Sequence, residues 1–256
     1  MPFTLAHPAL VLPLKKTQTK WSMTALIMGS MAPDFEFLLQ MREVEIIGHS
    51  WPGIFIFDIP FAFLMCFLFH NLLRDSLLDN LPTFYQQRLA HFRDFNWNEY
   101  VQNNKWMFFF SLCVGVLSHF ALDAFTHHDG LAVAFIPMLS DTVEIRTHEA
   151  PVYFLLQLVI SVVGMWFIHN VVVQMPARQT NIQREEKSNL PYWLAVSMIF
   201  TFILCVRLLG WTEFNTFEGI IIAVVGGAFY SWILVSLIFK FNFNPQKNKL
   251  TNARNK

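Results

Sequence analysis

Histidine and aspartate, residue types that bind divalent metal ions, flank the most apolar segments of this chain. Asp34 and His49 precede the first long apolar segment, whereas His119 and Asp123 lie near the end of the second. A chain that crosses a bilayer twice returns to the side from which it started, so these four side chains can meet on one membrane face. Nitrogen and carboxylate ligands that converge beside lipid favour a metal-dependent hydrolase built into a membrane.

The apolar segments predict a polytopic membrane protein. Hydrophobic residues make up 54% and charged residues 14% of the chain, against about 25% charged in a typical globular protein. Five segments approach the roughly 20 apolar residues that a membrane-spanning helix needs, and each must be helical because lipid offers no water to an open backbone. They cover residues 52–73, 106–125, 151–174, 191–209 and 217–239.

We therefore predict an all-α polytopic membrane protein with about five transmembrane helices and a helical metal site against the membrane. Residues 1–150 would form the metal-site region with the first two spans, residues 151–243 three further spans, and residues 244–256 a basic flexible tail. The three cysteines lie in three different spans, which argues against a disulfide framework or a cysteine-based zinc site. The zero net charge gives no electrostatic case for binding nucleic acid.

The distribution of basic residues predicts the orientation. Twelve Lys and Arg fall on the side of the 74–105 loop, the 175–190 loop and the tail, whereas six fall on the other side. Because basic residues favour the cytoplasmic side, the tail is predicted to be cytoplasmic, with the candidate site on the opposite face. The four basic residues of the head before the first span oppose this assignment.

His119 and Asp123 are four positions apart, so they share one face of a helix and suit a single metal ion. Ionisable groups within a membrane span are costly and usually functional. Asp129-Gly130 is a turn signal that predicts the end of this helix. His127 would lie on the same face as His119 and His128 would point away, so we favour His127 as a further ligand. An unwound last turn would favour His128 instead.

Asp34 and His49 each have an alternative role. Asp34 follows Pro33 in a turn with small residues, which can aim its carboxylate at a fixed point. Alternatively, Asp34 caps a helix that begins near Phe35. His49 is either a metal ligand or an interfacial histidine beside Trp51.

Other polar residues near the spans also have two interpretations. His148 and Glu149, just before the third span, are ligands of a second metal or simply flank the point where the chain enters the membrane. His7, near the N-terminus, has the same two interpretations. Asp58, a carboxylate in the first span, either supports the site from behind or pairs with Arg207.

Four motifs resemble those of an uncharacterised bacterial membrane family of unknown function, and this resemblance implies a bacterial inner membrane. They are residues 1–8 (MPFTLAHP), 29–36 (GSMAPDFE), 49–50 (HS) and 118–123 (SHFALD). The match covers the whole chain in order, and the same skeleton is similar to that of membrane-bound metal-dependent hydrolases. The order of Asp, His, His-xxx-Asp and later His resembles, more distantly, the all-α fold of zinc-dependent phospholipase C and single-strand nucleases.

This resemblance implies a set of metal ligands. The first ion would be held by Asp34, His49, His119 and Asp123, and a second by His127 or His128 with His148 and Glu149, while His7 matches a ligand near the N-terminus. The chain departs from that fold because its helices are hydrophobic, and because His148 and Glu149 are adjacent where a helix-spaced pair is expected.

Together these features predict phosphoester hydrolysis by a metal-activated water. Zn²⁺ suits the nitrogen and oxygen ligands, with Mn²⁺ or Fe²⁺ as alternatives, and Asp34 or Asp123 would act as the catalytic base or as a bridging ligand. The lipid bilayer is the predicted partner, and the site's position favours a phospholipid or lipid-linked phosphoester substrate. The apolar run 131–139 is too short to span and predicts an interfacial or re-entrant element that helps substrate to enter.

A non-catalytic membrane scaffold with a structural metal site is the alternative, in which the ion ties the head to the first two spans. A closed tetrahedral site without an exchangeable water would favour it. A transporter is less consistent with the sequence, because spans three to five carry only Arg207 and Glu218 as charged groups. The sequence identifies no protein partner.

Overall fold

The computed structural model describes residues 4–17, 20–44, 46–145, 148–178, 189–210 and 216–242. The predicted tail at 244–256 lies outside the described residues. Eleven helices are labelled here in chain order: α1 (Pro8–Val11), α2 (Met23–Met31), α3 (Phe35–Gln40), α4 (Trp51–Asn80), α5 (Thr83–Leu89), α6 (Trp97–Asn103), α7 (Lys105–Thr126), α8 (Leu131–Phe135), α9 (Val152–Val173), α10 (Leu190–Gly210) and α11 (Phe217–Asn242). Short 3₁₀ turns cover Thr4–Ala6, Leu12–Lys16, Ala90–Phe92 and Pro137–Leu139.

Five of these helices, α4, α7, α9, α10 and α11, are long and apolar enough to cross a membrane. This confirms the predicted all-α polytopic membrane fold. Within the described residues, the only strands form one antiparallel hairpin, in which β1 (Thr142–Ile145) pairs with β2 (His148–Pro151). The sequence does not predict this hairpin, because strands of four residues are too short to show a clear alternation of apolar and polar residues.

The first span is longer than the sequence predicted. We expected a charged loop from Arg74 onward, but α4 continues through two π-helical turns to Asn80. Charge can end the part of a helix that lies in lipid without ending the helix itself. The helix stops where Leu81 adopts an extended conformation before Pro82, as residues before proline generally do.

Contacts between residues divide the chain into two compact units. The first comprises Met1–Glu36, Glu45–Cys66 and Asn96–Met175, and the second comprises Phe37–Val44, Phe67–Phe95 and Pro176–Lys256. In the first unit, α2 packs against α7 at two glycines. A Cβ at Gly29 would lie 2.6 Å from the Leu112 carbonyl oxygen, and a Cβ at Gly115 would lie 2.5 Å from that of Leu26. Only glycine therefore allows these two helices to approach so closely.

In the second unit, α10 and α11 bind the carbonyl end of α3. Met41, which follows α3, has a left-handed backbone with φ of 51°, the usual geometry just after a helix. The buried Arg207 guanidinium donates from Nε and Nη2 to the Met41 carbonyl at 3.2 and 2.9 Å. The Tyr230 hydroxyl donates to the Leu39 carbonyl at 2.7 Å. These groups donate hydrogen bonds to carbonyls that have no donor within the helix, and the positive charge of Arg207 complements the helix dipole.

Arg207→Ala is expected to destabilise the second unit. It removes two charge-assisted hydrogen bonds from a buried carbonyl, a loss of about 1.5–3 kcal/mol per bond. Tyr230→Phe is the matched control, because it removes one neutral bond to the same helix end and costs about 1 kcal/mol. Thermal unfolding of both variants in one detergent measures the difference. An Arg207→Ala protein that melts with or above Tyr230→Phe would contradict this account.

Candidate metal centre

Six of the candidate ligands converge in the first unit. The turn between α2 and α3 provides Asp34, the loop before α4 provides His49, and α7 provides the helix-spaced pair of His119 and Asp123. His7 comes from the segment before α1. His127 directly follows α7, and all of these residues are buried or half-buried.

Four ligand atoms lie close to His119 and His49 and are here called the four-ligand group. His119 Nε2 lies 3.0 Å from Asp123 Oδ2, 3.3 Å from His49 Nε2 and 3.7 Å from Asp34 Oδ1. His49 Nε2 lies 3.4 Å from Asp34 Oδ1 and 3.8 Å from Asp123 Oδ2. A tetrahedral zinc ion with bonds of about 2.1 Å separates its ligand atoms by about 3.4 Å. The observed distances lie on both sides of this value. The ligand atoms of Asp34, His49 and His119 all lie within 4.8 Å of one another, so these three residues could hold one metal ion.

The buried Asp34 carboxylate needs a positive charge beside it. It is only 1% exposed, and neither oxygen receives a hydrogen bond of good geometry within the described part of the chain. Burial alone would raise the pKa of Asp34, but the charge of His119 and the contact with His49 outweigh it and hold that pKa below its ordinary value. An ionised carboxylate without a backbone donor needs a positive partner. The side chain does not act as a helix cap.

The orientation of His119 is determined by a backbone carbonyl. Its Nδ1 lies 2.9 Å from the Ser30 oxygen, which can only accept, so Nδ1 carries a proton and Nε2 points into the site. There it faces His49 Nε2 at 3.3 Å. Two ring nitrogens this close must share a proton or both face a cation. A histidine that donates its other nitrogen to a carbonyl is a common arrangement in metal sites.

Asp123 separates this group from a second set of histidines. Its Oδ2 faces His119 and His49, whereas its Oδ1 lies 3.3 Å from His7 Nε2 and 3.5 Å from His127 Nδ1. The His7 ring stacks on that of His119 with centroids 4.1 Å apart. The ligand atoms of His7, His119 and Asp123 lie within 4.8 Å of one another. The two carboxylate oxygens could therefore each contact a different ion.

The end of α7 differs from the prediction. The helix stops at Thr126, before Asp129-Gly130, and His127 is extended with φ of −119° and ψ of 149°. The unwound turn still places His127 at the site, because its backbone N–H donates to the Asp123 carbonyl at 3.1 Å. Burial lowers the pKa of His127, and Asp123 offsets only part of this effect, so a ring lone pair is available at neutral pH. His128 is exposed.

The remaining candidate ligands are on the hairpin. Glu149 is exposed and lies opposite Glu144 in the strand register. The side chain of His148 lies outside the described residues. The structure does not bring Glu149 into either of the groups described above.

Glu36 is a residue that shapes the site but was not among the candidates predicted from the sequence. Its buried carboxylate accepts hydrogen bonds from the backbone N–H groups of Gly48 at 2.7 Å and Ile47 at 3.1 Å. A Cβ at Gly48 would lie 2.8 Å from the Pro33 carbonyl oxygen. Glu36 and Gly48 therefore hold the loop that carries His49 directly against the Asp34 turn. The only sequence signal was the position of Glu36 in the motif GSMAPDFE.

We expect Glu36→Ala to weaken metal binding without removing a ligand. The substitution leaves two backbone N–H groups of the His49 loop without their acceptor, and losses of this kind cost about 10–100-fold in metal affinity. Glu36→Gln retains one acceptor oxygen and should bind several-fold better than Glu36→Ala. Zinc titration against a competing chelator gives both affinities. Equal affinities for Glu36→Ala and the wild type would exclude this positioning role.

Asp58 is buried beside the same loop. A Cβ at Gly48 would lie 3.5 Å from Asp58 Oδ1, and the carboxylate interacts electrostatically with His49 and His119. Neither oxygen accepts a hydrogen bond from the described residues. Arg207, the other partner considered, binds the Met41 carbonyl. The supporting role of Asp58 behind the ligands stays a prediction.

No curated protein and no solved structure matches the chain. One sequence family matches residues 1–238, a range that includes every candidate ligand. The chain belongs to this family, which is described as "Domain of unknown function (DUF4184)".

Proposed function

We propose that the chain is a membrane-bound metal-dependent hydrolase that cleaves phosphoester bonds. The observation that carries this proposal is that the ligand atoms of Asp34, His49 and His119 lie close enough to hold one metal ion, with Asp123 Oδ2 3.0 Å from His119 Nε2. The family resemblance of the same residues to metal-dependent hydrolases supports it. Zn²⁺ suits two imidazoles with two carboxylates, and Mn²⁺ or Fe²⁺ are alternatives.

Several residues around the ion would each have a separate role in the reaction. A cation in this site would supply a Lewis acid for a phosphoryl oxygen and lower the pKa of water. The Ser30 carbonyl would keep His119 Nε2 directed at the site, and Glu36 would keep His49 in place. Asp34 or Asp123 would accept the proton of the attacking water. Asp123 suits this role because Oδ2 faces His119 and His49, while the contacts of Oδ1 with His7 and His127 hold the carboxylate in position.

The substrate we propose is a phospholipid or a lipid-linked phosphoester. His49 lies just before α4, Asp123 lies in the last turn of α7 and His127 directly follows it, and both helices can span a bilayer, so the reacting bond would lie near the lipid headgroups. From the resemblance to a bacterial membrane family we propose a bacterial inner membrane. From the distribution of basic residues we propose that the tail lies in the cytoplasm and the site on the opposite face.

The hydrolase proposal is tested with purified protein loaded in turn with zinc, manganese or iron. We expect hydrolysis of a phospholipid, a polyprenyl phosphate or bis(p-nitrophenyl) phosphate, and its loss in His119→Ala. Asp123→Asn distinguishes metal binding from proton transfer, because asparagine keeps an oxygen ligand but cannot act as the base. Metal-loaded protein that cleaves none of these substrates would overturn the proposal.

A structural metal site on a membrane scaffold is a second candidate, favoured by the burial of the ligands. His119 and Asp34 are 0% and 1% exposed, and four protein ligands are the usual set of a closed structural zinc site. X-ray absorption spectroscopy of the zinc-loaded protein distinguishes the two. Four protein ligands with no oxygen scatterer exchangeable for azide or phosphate would support the scaffold, whereas an added exchangeable ligand would support the hydrolase.

A further inference from the structure

We propose that residues 131–139, here called the interfacial segment, insert into the membrane leaflet on the side of the metal site. The segment consists of α8 and the 3₁₀ turn Pro137–Leu139. It would hold the ligand group at the depth of the lipid headgroups. Insertion itself does not depend on the proposed function. Only the effect of insertion on the binding of a phospholipid substrate rests on it.

The segment has one buried and one exposed apolar face. Val133 and Leu139 are 4% and 7% exposed and form its inner face. Leu131, Phe135 and Met138 are 66%, 83% and 65% exposed and form its outer face. Three large apolar side chains within eight residues do not remain in water without a partner on a typical soluble protein. An apolar medium therefore has to cover this face.

The position of the segment identifies that medium as lipid. The chain leaves one helix of membrane-spanning length at Thr126 and begins the next at Val152, so both ends of the connection lie at the same bilayer face. A helix of nine residues would be about 14 Å long, which is too short to cross a hydrocarbon core of about 30 Å. We therefore expect the outer face to lie along the interface between lipid and water.

Contacts at the start of the segment place it beside the candidate site. A Cβ at Gly130 would lie 2.4 Å from the Ala124 carbonyl oxygen and 2.9 Å from that of Asp123. The interfacial segment thus begins against the helical turn that carries Asp123. Its depth in the leaflet is linked to the depth of the ligand group through this backbone contact.

Two features mark the level of the interface. Trp51, 74% exposed at the start of α4, stacks on Phe120 with ring centroids 6.4 Å apart, and Phe120 also meets the His49 ring. Tryptophan is enriched at the headgroup level. After the segment, Asp141 and Glu144 are exposed on the way into the hairpin. The change from Met138 to Asp141 is where we expect the chain to return to water.

Spin labels test insertion directly. We would label Phe135→Cys, Met138→Cys and Glu144→Cys in liposomes, with Cys66, Cys113 and Cys205 replaced by alanine in a background that binds zinc as the wild type does. Power saturation should show positions 135 and 138 accessible to oxygen and protected from a water-soluble nickel complex. Position 144, the matched control, should show the reverse.

If position 135 matches position 144, the segment lies in water and the proposal is wrong. Protection of 135 from both reagents would mean that protein covers it, such as a second copy of the chain, and would also overturn insertion.

A second experiment addresses the substrate, and this step rests on the proposed function. The double variant Phe135→Ser, Met138→Ser should retain wild-type zinc content. Its KM for phospholipid in vesicles should rise about tenfold, while its kcat/KM for a soluble phosphodiester is unchanged. Equal KM values for vesicle lipid in the variant and the wild type would overturn this consequence. If the wild type cleaves neither substrate, the proposed function fails, and the spin-label result still decides insertion.

Discussion

Alanine at Asp34 or at His119 is expected to remove the metal ion from the purified protein. We expect the wild type to carry about one or two zinc, manganese or iron ions per chain, because a preformed set of deprotonated ligands binds such ions tightly. Each substitution removes one of four ligands. The affinity should fall by more than about 100-fold, since loss of a group that merely supports a ligand already costs about 10–100-fold. Elemental analysis after desalting measures the content.

The control for this experiment is His128→Ala. His128 is exposed and lies one residue beyond His127, so its removal changes the number of histidines but not the clustered ligands. Metal content equal to that of the wild type is expected. Circular dichroism and size-exclusion chromatography establish that each variant remains folded. A folded wild type that stays metal-free after reconstitution would contradict the metal site, and with it the hydrolase.

His7→Ala determines whether one or two ions bind. If Asp123 bridges two ions, His7→Ala should lose the ion on the Oδ1 side and keep the one on the Oδ2 side, which halves the content. If a single ion binds the four-ligand group, His7→Ala retains it. Loss of all metal in His7→Ala would instead mean that the stacked ring is needed to hold His119 in place.

The membrane fold could be predicted because its main signal is the length of apolar segments. Lipid leaves the backbone no alternative to a helix, so hydrophobicity alone located all five spans. Hydrophobicity also placed the end of the first span at Leu73, which is too early. It detects the charged residue Arg74 but not the helix that continues beyond it. The hairpin at 142–151 was missed because it depends on a backbone pairing that four-residue strands do not reveal.

The site was partly predictable for a topological reason. Crossing the membrane twice returns the chain to one face, which is why Asp34 and His49 could be expected near His119 and Asp123. The Ser30 carbonyl and the Glu36 bonds to the His49 loop could not be expected, because each needs the close approach of particular backbone atoms. The end of α7 at Thr126 was also missed, although the extended His127 lies beside Asp123 through its backbone bond.

Gly115→Ala tests whether the site depends on the distance between α2 and α7, and we expect it to lower both stability and metal content. The added methyl group would lie 2.5 Å from the Leu26 carbonyl oxygen and 2.9 Å from Gly29 Cα. These are backbone atoms that cannot rotate away, so the helices must separate. Overpacking of this kind costs about 1–3 kcal/mol. Separation would also draw the Ser30 carbonyl away from His119 Nδ1, so that the ligand loses its orientation.

Gly210→Ala is the matched control, because a Cβ at Gly210 would meet nothing within 4 Å. An alanine in a helix is more favourable than glycine by up to about 1 kcal/mol, so this variant should melt at or above the wild-type temperature and keep its metal. Melting temperature and zinc affinity are measured on both proteins in the same detergent. A Gly115→Ala protein with a lower melting temperature and unchanged zinc affinity would show that the helices can separate without disturbing the ligands. In that case the Ser30 contact would not orient His119, and the four ligands would form their site independently of the glycine contact.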